Sequence, residues 1–235
     1  MNQHARTPNQ DRIVESLAAA FQRRTTSVRH GDLLTDAMTA DFGDWLRLHH
    51  FQSDDPFTKE KFEWALSRTL TDNGVTATRS LRCFPGHDVT RPDTRYSLKT
   101  EAAKSIRRHR IHISKAMELG GGVWGDNPAD LIGLRHQFLT HLAKYDSILI
   151  LRCLGTDPWT YELVEIDSAL LARAADGRLE MRTNSRQWPK PGYCTVEDAG
   201  QVQFRLYFDG GGERKLQIKD LDKSLCRLQA EWILN

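Results

Sequence analysis

Apolar residues recur at helical spacing three times in the first third of the chain. Between Asp11 and Arg24 they fall at Ile13, Leu17, Ala20 and Phe21, which places them on one side of an α-helix. Between Leu33 and Leu48 they fall at Met38, Phe42, Trp45 and Leu46. A third set, Phe62, Leu66 and Leu70, follows a capping residue, Thr58, and stops at Asn73-Gly74. The pattern then changes. VTATRSLRCF (75–84), rich in β-branched and apolar residues, predicts a strand. IHISKAMEL (111–119) predicts a helix lying on the sheet, with Ile111, Ser114, Lys115 and Glu118 around one side. A further helix is predicted over Pro128 to Lys144. SILILRCL (147–154) is a near-continuous apolar run, the pattern of a strand buried on both faces, and WTYELVEID (159–167) is a half-buried strand beside it. DSALLARAA predicts a short helix capped by Asp167 or Ser168. GRLEMRT, QVQFRLYFD and ERKLQIKDL predict strands, the last two joined as a hairpin through FDGGGERK. DKSLCRLQAEWIL predicts a closing helix opened by Asp220 or Asp222. This order predicts an α/β fold: a mixed central β-sheet flanked by helices, with an added C-terminal β-rich region.

Length and composition narrow the class. The 235 residues fit one domain, with N-terminal helices to residue 57, a core over 58–168 and a β-rich recognition and closing region over 169–235. A charged share of 27% beside a hydrophobic share of 39% is that of a soluble protein. No apolar run reaches membrane-spanning length, and the polar start MNQHARTPNQDR lacks the apolar core of a signal peptide, so a cytoplasmic location is expected. The four cysteines, Cys83, Cys153, Cys194 and Cys226, are scattered without zinc-site spacing, and Cys83 and Cys153 read as buried thiols. The glycine-rich GGGVWGDNP has no following GK[ST] and is not a P-loop. The net charge of +2 leaves nucleic-acid binding open, because the distribution of charge decides it.

The chemistry concentrates in PGHDVTRPDTRYSLKTEA, residues 85–102. A tight turn centred between Pro92 and Asp93 sets Asp88 opposite Ser97 on the neighbouring strand. Strand alternation then puts Ser97, Lys99 and Glu101 on the side of Asp88, and Leu98 and Thr100 on the other. A carboxylate and a lysine so placed suit a divalent metal beside a water to be activated.

This arrangement resembles the PD-(D/E)XK nuclease superfamily and, within it, the type II restriction endonucleases. Asp88 matches the family's Asp and Lys99 its Lys, while Ser97 stands where the pattern has an acid. The resemblance covers about residues 58–168 and implies a restriction-endonuclease-like core. It also implies a Mg²⁺-dependent DNA endonuclease in which Asp88 and a second carboxylate bind the metal and Lys99 acts on the attacking water. Ser97-Leu98-Lys99 looks like the Ser-x-Lys variant, whose missing carboxylate comes from a Glu on the following helix. Glu118 is the candidate for that acid. Glu101 is the second, and Glu63, on the helix before the hairpin where family members often place a metal-site glutamate, is the third. The expected partner is double-stranded DNA, and a palindromic site favours a homodimer.

Two basic stretches are candidates for DNA contact. Arg107, Arg108 and Arg110 suit phosphate, with Lys115 nearby. Arg182, Asn184, Arg186, Gln187, Trp188 and Lys190 lie between two predicted strands and include the residue types that read base edges. A polar loop with its Trp packed against the core fits the same residues. Two other functions fit the chain: a non-catalytic DNA-binding module on a decayed nuclease fold, which Ser97 keeps open, and a repair or junction nuclease of the same superfamily.

Overall fold

The structure, a computed structural model, describes residues 6–80, 86–103, 105–120 and 124–235. Residues 81–85, with Cys83 and most of the second half of the strand expected over 75–84, and residues 121–123 of the glycine-rich loop lie outside the described residues.

Three helices form where the apolar spacing predicts them: α1 (Pro8–Gln22), α2 (Asp36–Gln52) and α3 (Lys59–Asp72). Each is opened by a threonine, Thr7, Thr35 or Thr58, whose hydroxyl accepts a backbone N–H from the first turn. A strand absent from the sequence reading, β1 (Thr25–Arg29), runs between α1 and α2. After α3 come β2 (Thr78–Arg79), β3 (Val89–Arg91), β4 (Thr94–Glu101) and β5 (Arg110–Glu118). Next are α4 (Leu131–Leu142), β6 (Ser147–Thr156), β7 (Trp159–Asp167) and the short α5 (Ser168–Ala172), capped by Asp167. The chain closes with β8 (Arg178–Met181), β9 (Gly192–Asp198), β10 (Gln201–Phe208), β11 (Lys215–Asp222) and β12 (Arg227–Leu234).

The strands make two sheets. The larger is mixed, in the order β1-β12-β7-β6-β4-β3-β2, with β4 and β6 parallel and the other pairs antiparallel. The smaller is antiparallel, in the order β5-β11-β10-β9-β8. The larger sheet is covered on both faces, which is why SILILRCL has no polar alternation. Leu149 and Leu151 of β6 pack with Phe42 and Leu46 of α2 and Phe62 and Leu66 of α3. Ile148 and Ile150 belong instead to the cluster holding Phe138 of α4 and Ile113, Phe204 and Ile218 of the smaller sheet. Each such side chain, fully buried, contributes about 1.5–3 kcal/mol.

Two expected helices are strands, for one reason. In β5 the ladder with β11 jumps from Ile113–Ile218 to Met117–Leu216, so Gln217 alone faces the bulged stretch at 114–116. The buried positions therefore run Ile111, Ile113, Ala116, Leu119, and the bulge turns a spacing of two into a spacing of three. In β12 the ladder slips at Gln229, so Leu228 turns to the face of Ile148 and Val164 while Ala230, Trp232 and Leu234 line the face of Phe42 and Leu149, and the alternation of a regular strand is broken. Asp222 does cap a turn, but only the 3-10 turn Lys223–Leu225. Because β12 pairs with β7 and β1, the C-terminus completes the larger sheet rather than closing over it.

Candidate active site

The β3–β4 turn has the predicted register. Val89 pairs with Tyr96 and Arg91 with Thr94, leaving Pro92-Asp93 as a two-residue loop. Asp88, one step before β3, therefore reaches Ser97 and Leu98. Its Oδ2 accepts the backbone N–H of Leu98 at 2.6 Å and the Ser97 hydroxyl at 3.3 Å. Ser97, buried, thus orients Asp88 as a donor; an acid at this position would oppose the same oxygen by charge.

The other oxygen, Asp88 Oδ1, faces α3. Lys59 Nζ lies 2.8 Å from it and 3.1 Å from Glu63 Oε1. Lys59 and Glu63 are one helical turn apart at the start of α3, so they project together across the sheet towards Asp88. Burial alone would lower the Lys59 pKa; hydrogen bonds and charge from Asp88 and Glu63 outweigh it and hold the pKa above the ordinary lysine value.

Lys99, on the Ser97 face of β4, opens with Lys59 and Lys115 onto a cleft of about 380 Å³, whose far wall is β5 from Ile113 to Met117. Among the described residues its ammonium makes no hydrogen bond and no ion pair. Burial, and next the charge of Lys59, bring its pKa down to about 8 against the pull of Asp88 and Glu63. His141 of α4 is lowered to about 4, by burial first and then by Lys99 and Lys144, and so is neutral beside this cluster.

Of the three acids read from the sequence, the structure brings Glu63 to Asp88. Glu101 shares the face of Lys99 but is engaged elsewhere: Oε2 takes the Arg152 guanidinium and Oε1 the His112 N–H. Glu118 is not on a helix. It ends β5, is mostly exposed and pairs with Lys115 at 2.6 Å. Lys59 and His141 were not among the residues singled out in the sequence. The Lys59–Glu63 spacing of four on a helix was the available signal for the first.

The basic stretches divide. Arg110 is absorbed into the fold, donating to the carbonyls of Val202 and Asp220 and pairing with Asp222 at 3.4 Å. Arg107 pairs with Asp220 at 2.6 Å, and Arg108 is exposed. The loop between β8 and β9 presents Asn184, Arg186 and Gln187 to solvent, and Trp188 is 70% exposed rather than tucked against the core. Its base is held firmly. The Trp124 indole donates to the Lys190 carbonyl at 2.8 Å, and a Cβ on Gly210 would meet the Pro189 carbonyl oxygen at 1.8 Å, so only glycine allows that approach. Lys190 Nζ folds back on the Thr183 carbonyl, and Arg182 stands beside Tyr207. Strands β5 and β11 connect the cleft to this loop: Glu118 pairs with Lys215, and the turn before Lys215 carries Gly211 next to Gln187.

Among the described residues no helix is long and apolar enough to cross a membrane. The family model SmaI, described as type II site-specific deoxyribonuclease, matches residues 6–234. The type II restriction enzyme SmaI of Serratia marcescens is 41% identical over 226 residues, which cover 94% of this chain and 90% of that enzyme. No solved structure matches.

Proposed function

We propose how this chain, which belongs to the SmaI family and is a type II site-specific deoxyribonuclease of a restriction system, cuts its DNA: Asp88 and Glu63 hold one Mg²⁺, and Lys99 acts on the attacking water. The observation that carries this reading is the convergence of Asp88 Oδ1 and Glu63 Oε1 on a single cation, the Lys59 ammonium, at the edge of the Lys99 cleft. Two hard anionic oxygens on one cation match how proteins hold Mg²⁺, with the remaining positions left to water and phosphate. When bound, the metal supplies Lewis acidity to the phosphate and lowers the pKa of its water.

The chain's own residues do the rest. Ser97 and the Leu98 N–H fix Asp88, so only one of its oxygens faces the metal position. Lys99, near pKa 8, has enough neutral amine around neutral pH to take a proton from the water, and its protonated form stabilises the charge growing on the phosphate. On this account the site is a Ser-x-Lys form of the PD-(D/E)XK pattern whose second acid comes from the preceding helix α3, not from Glu118 or Glu101. The non-catalytic module and the repair or junction nuclease are less favoured, since the matching family is one of site-specific deoxyribonucleases. Two copies of the chain on a twofold DNA site follow from the same reading.

Mn²⁺ binding followed by electron paramagnetic resonance tests the ligand set. Asp88→Asn and Glu63→Gln should each weaken binding at least tenfold, while Glu118→Gln binds as the wild type does. If Glu118→Gln weakens Mn²⁺ and Glu63→Gln does not, the relocated acid is the downstream one.

The β8–β9 loop is the proposed recognition element. Arg186→Ala and Trp188→Ala should each weaken binding to the cognate duplex by about 1–3 kcal/mol, with much less effect on random duplex. Equal losses on both duplexes would reduce the loop to a phosphate contact.

A further inference from the structure

Lys59 has no place in the two-carboxylate metal site as a bystander. Its Nζ stands 2.8 Å from Asp88 Oδ1 and 3.1 Å from Glu63 Oε1, between the two oxygens assigned to the metal. A Mg²⁺ bound to both would sit about 2.1 Å from each, in the space the ammonium fills. Sharing that space is excluded by volume and by the repulsion between a monovalent and a divalent cation a few ångströms apart. Nor can another acid screen the two: among the described residues no third Asp, Glu, His or Cys joins the pair.

The side chain is built to leave. Lys59 is the first residue of α3, its side chain is 41% exposed, and its four-carbon stem can swing without moving the helix. Arginine or a backbone donor could not be exchanged so cheaply. The cleft it lines with Lys99 and Lys115 is where a phosphate must lie for Lys99 to reach the attacking water.

We propose that Lys59 is an internal competitor for the metal: it closes the Asp88–Glu63 pair in the free enzyme and, displaced by the divalent ion, turns to a DNA phosphate. This rests on the ligand set proposed above. Free enzyme then binds metal weakly, and metal and DNA strengthen one another's binding, since each favours the displaced position of one side chain.

The test uses the full chain and Mn²⁺ without DNA. Lys59→Met keeps the length and removes the charge; it should bind Mn²⁺ about tenfold more tightly, within the range of ordinary coupling between sites. Lys59→Arg keeps the charge and should bind no more tightly than the wild type. Thermal melting of both variants checks the fold. A second readout is the salt dependence of duplex binding. With Ca²⁺ present, the slope of log K against log salt should fall by about one in Lys59→Met relative to wild type, and should not change without a divalent ion. Unchanged or weaker Mn²⁺ binding by Lys59→Met, when Asp88→Asn and Glu63→Gln abolish it, overturns the competitor role and leaves the ligand set standing. If Asp88→Asn and Glu63→Gln bind Mn²⁺ normally, the ligand set fails and the competitor role fails with it.

Discussion

Lys99→Met should slow single-turnover cleavage by about three orders of magnitude while duplex affinity in Ca²⁺ changes little. General acid–base assistance contributes about 10²–10⁴-fold, and one well-placed charge on the developing anion about 10²–10³-fold; the lysine is assigned both, so the loss falls in the upper part of those ranges. Binding is expected to be spared because the proposed phosphate and base contacts lie on Lys59, Lys115 and the β8–β9 loop. The pH profile separates the two roles. Burial and the neighbouring Lys59 charge lower the Lys99 pKa to about 8, so the neutral amine grows tenfold per pH unit below 8 and levels above it. Lys59, whose pKa is held above the ordinary lysine value, remains charged, and His141, near 4, remains neutral over the same range. Wild-type cleavage should therefore rise with pH to about 8 and then flatten. A rate independent of pH from 6 to 9 would leave Lys99 only its electrostatic role, and near-normal cleavage by Lys99→Met would remove it from the site.

What could be read from the chain follows the range of the interactions involved. The β3–β4 turn is local: two loop residues set the register, and the register sets which side chains share a face. Asp88, Ser97 and Lys99 were legible for that reason, and the three N-terminal helices from their caps and apolar stripes. The second carboxylate that we propose was not: Glu63 comes near Asp88 from 25 positions away in sequence, sharing Lys59 with it through the packing of α3 on Leu98 and Leu149, and the sequence ranks it behind Glu118 and Glu101. Bulges hid β5 and β12: in β5 the bulge spaces the buried residues as on a helix, and in β12 the slip moves Leu228 to the opposite face and breaks the alternation. That error mattered chemically: as a helix, IHISKAMEL could aim Glu118 back at the hairpin, whereas as a bulged strand it leaves Glu118 in solvent beside Lys115.

Arg152→Met should lower stability by about 3–5 kcal/mol, the range for removing one member of a buried ion network. The Arg152 guanidinium is fully buried; it pairs with Glu101 and Glu162, and Glu162 is also paired with Lys223. Its remaining N–H groups donate to the carbonyls of Arg107 at 2.9 Å and Arg110 at 2.8 Å, which fixes the turn between β4 and β5. Methionine fills the volume but strands two carboxylates, one of them buried with Lys223 as its remaining ion-pair partner. At about 2–4 °C per kcal/mol for a chain of this size, the midpoint should fall by about 10 °C. The triple variant Arg152→Met, Glu101→Gln, Glu162→Gln should recover part of that loss, because the cost lies in unpaired charge rather than in lost volume. Thermal unfolding by circular dichroism measures both. A single variant as stable as wild type would mean that water or Lys223 already compensates the carboxylates. Glu101 would then be free to turn towards Lys99, and its exclusion from the metal site would need direct testing by Mn²⁺ binding to Glu101→Gln.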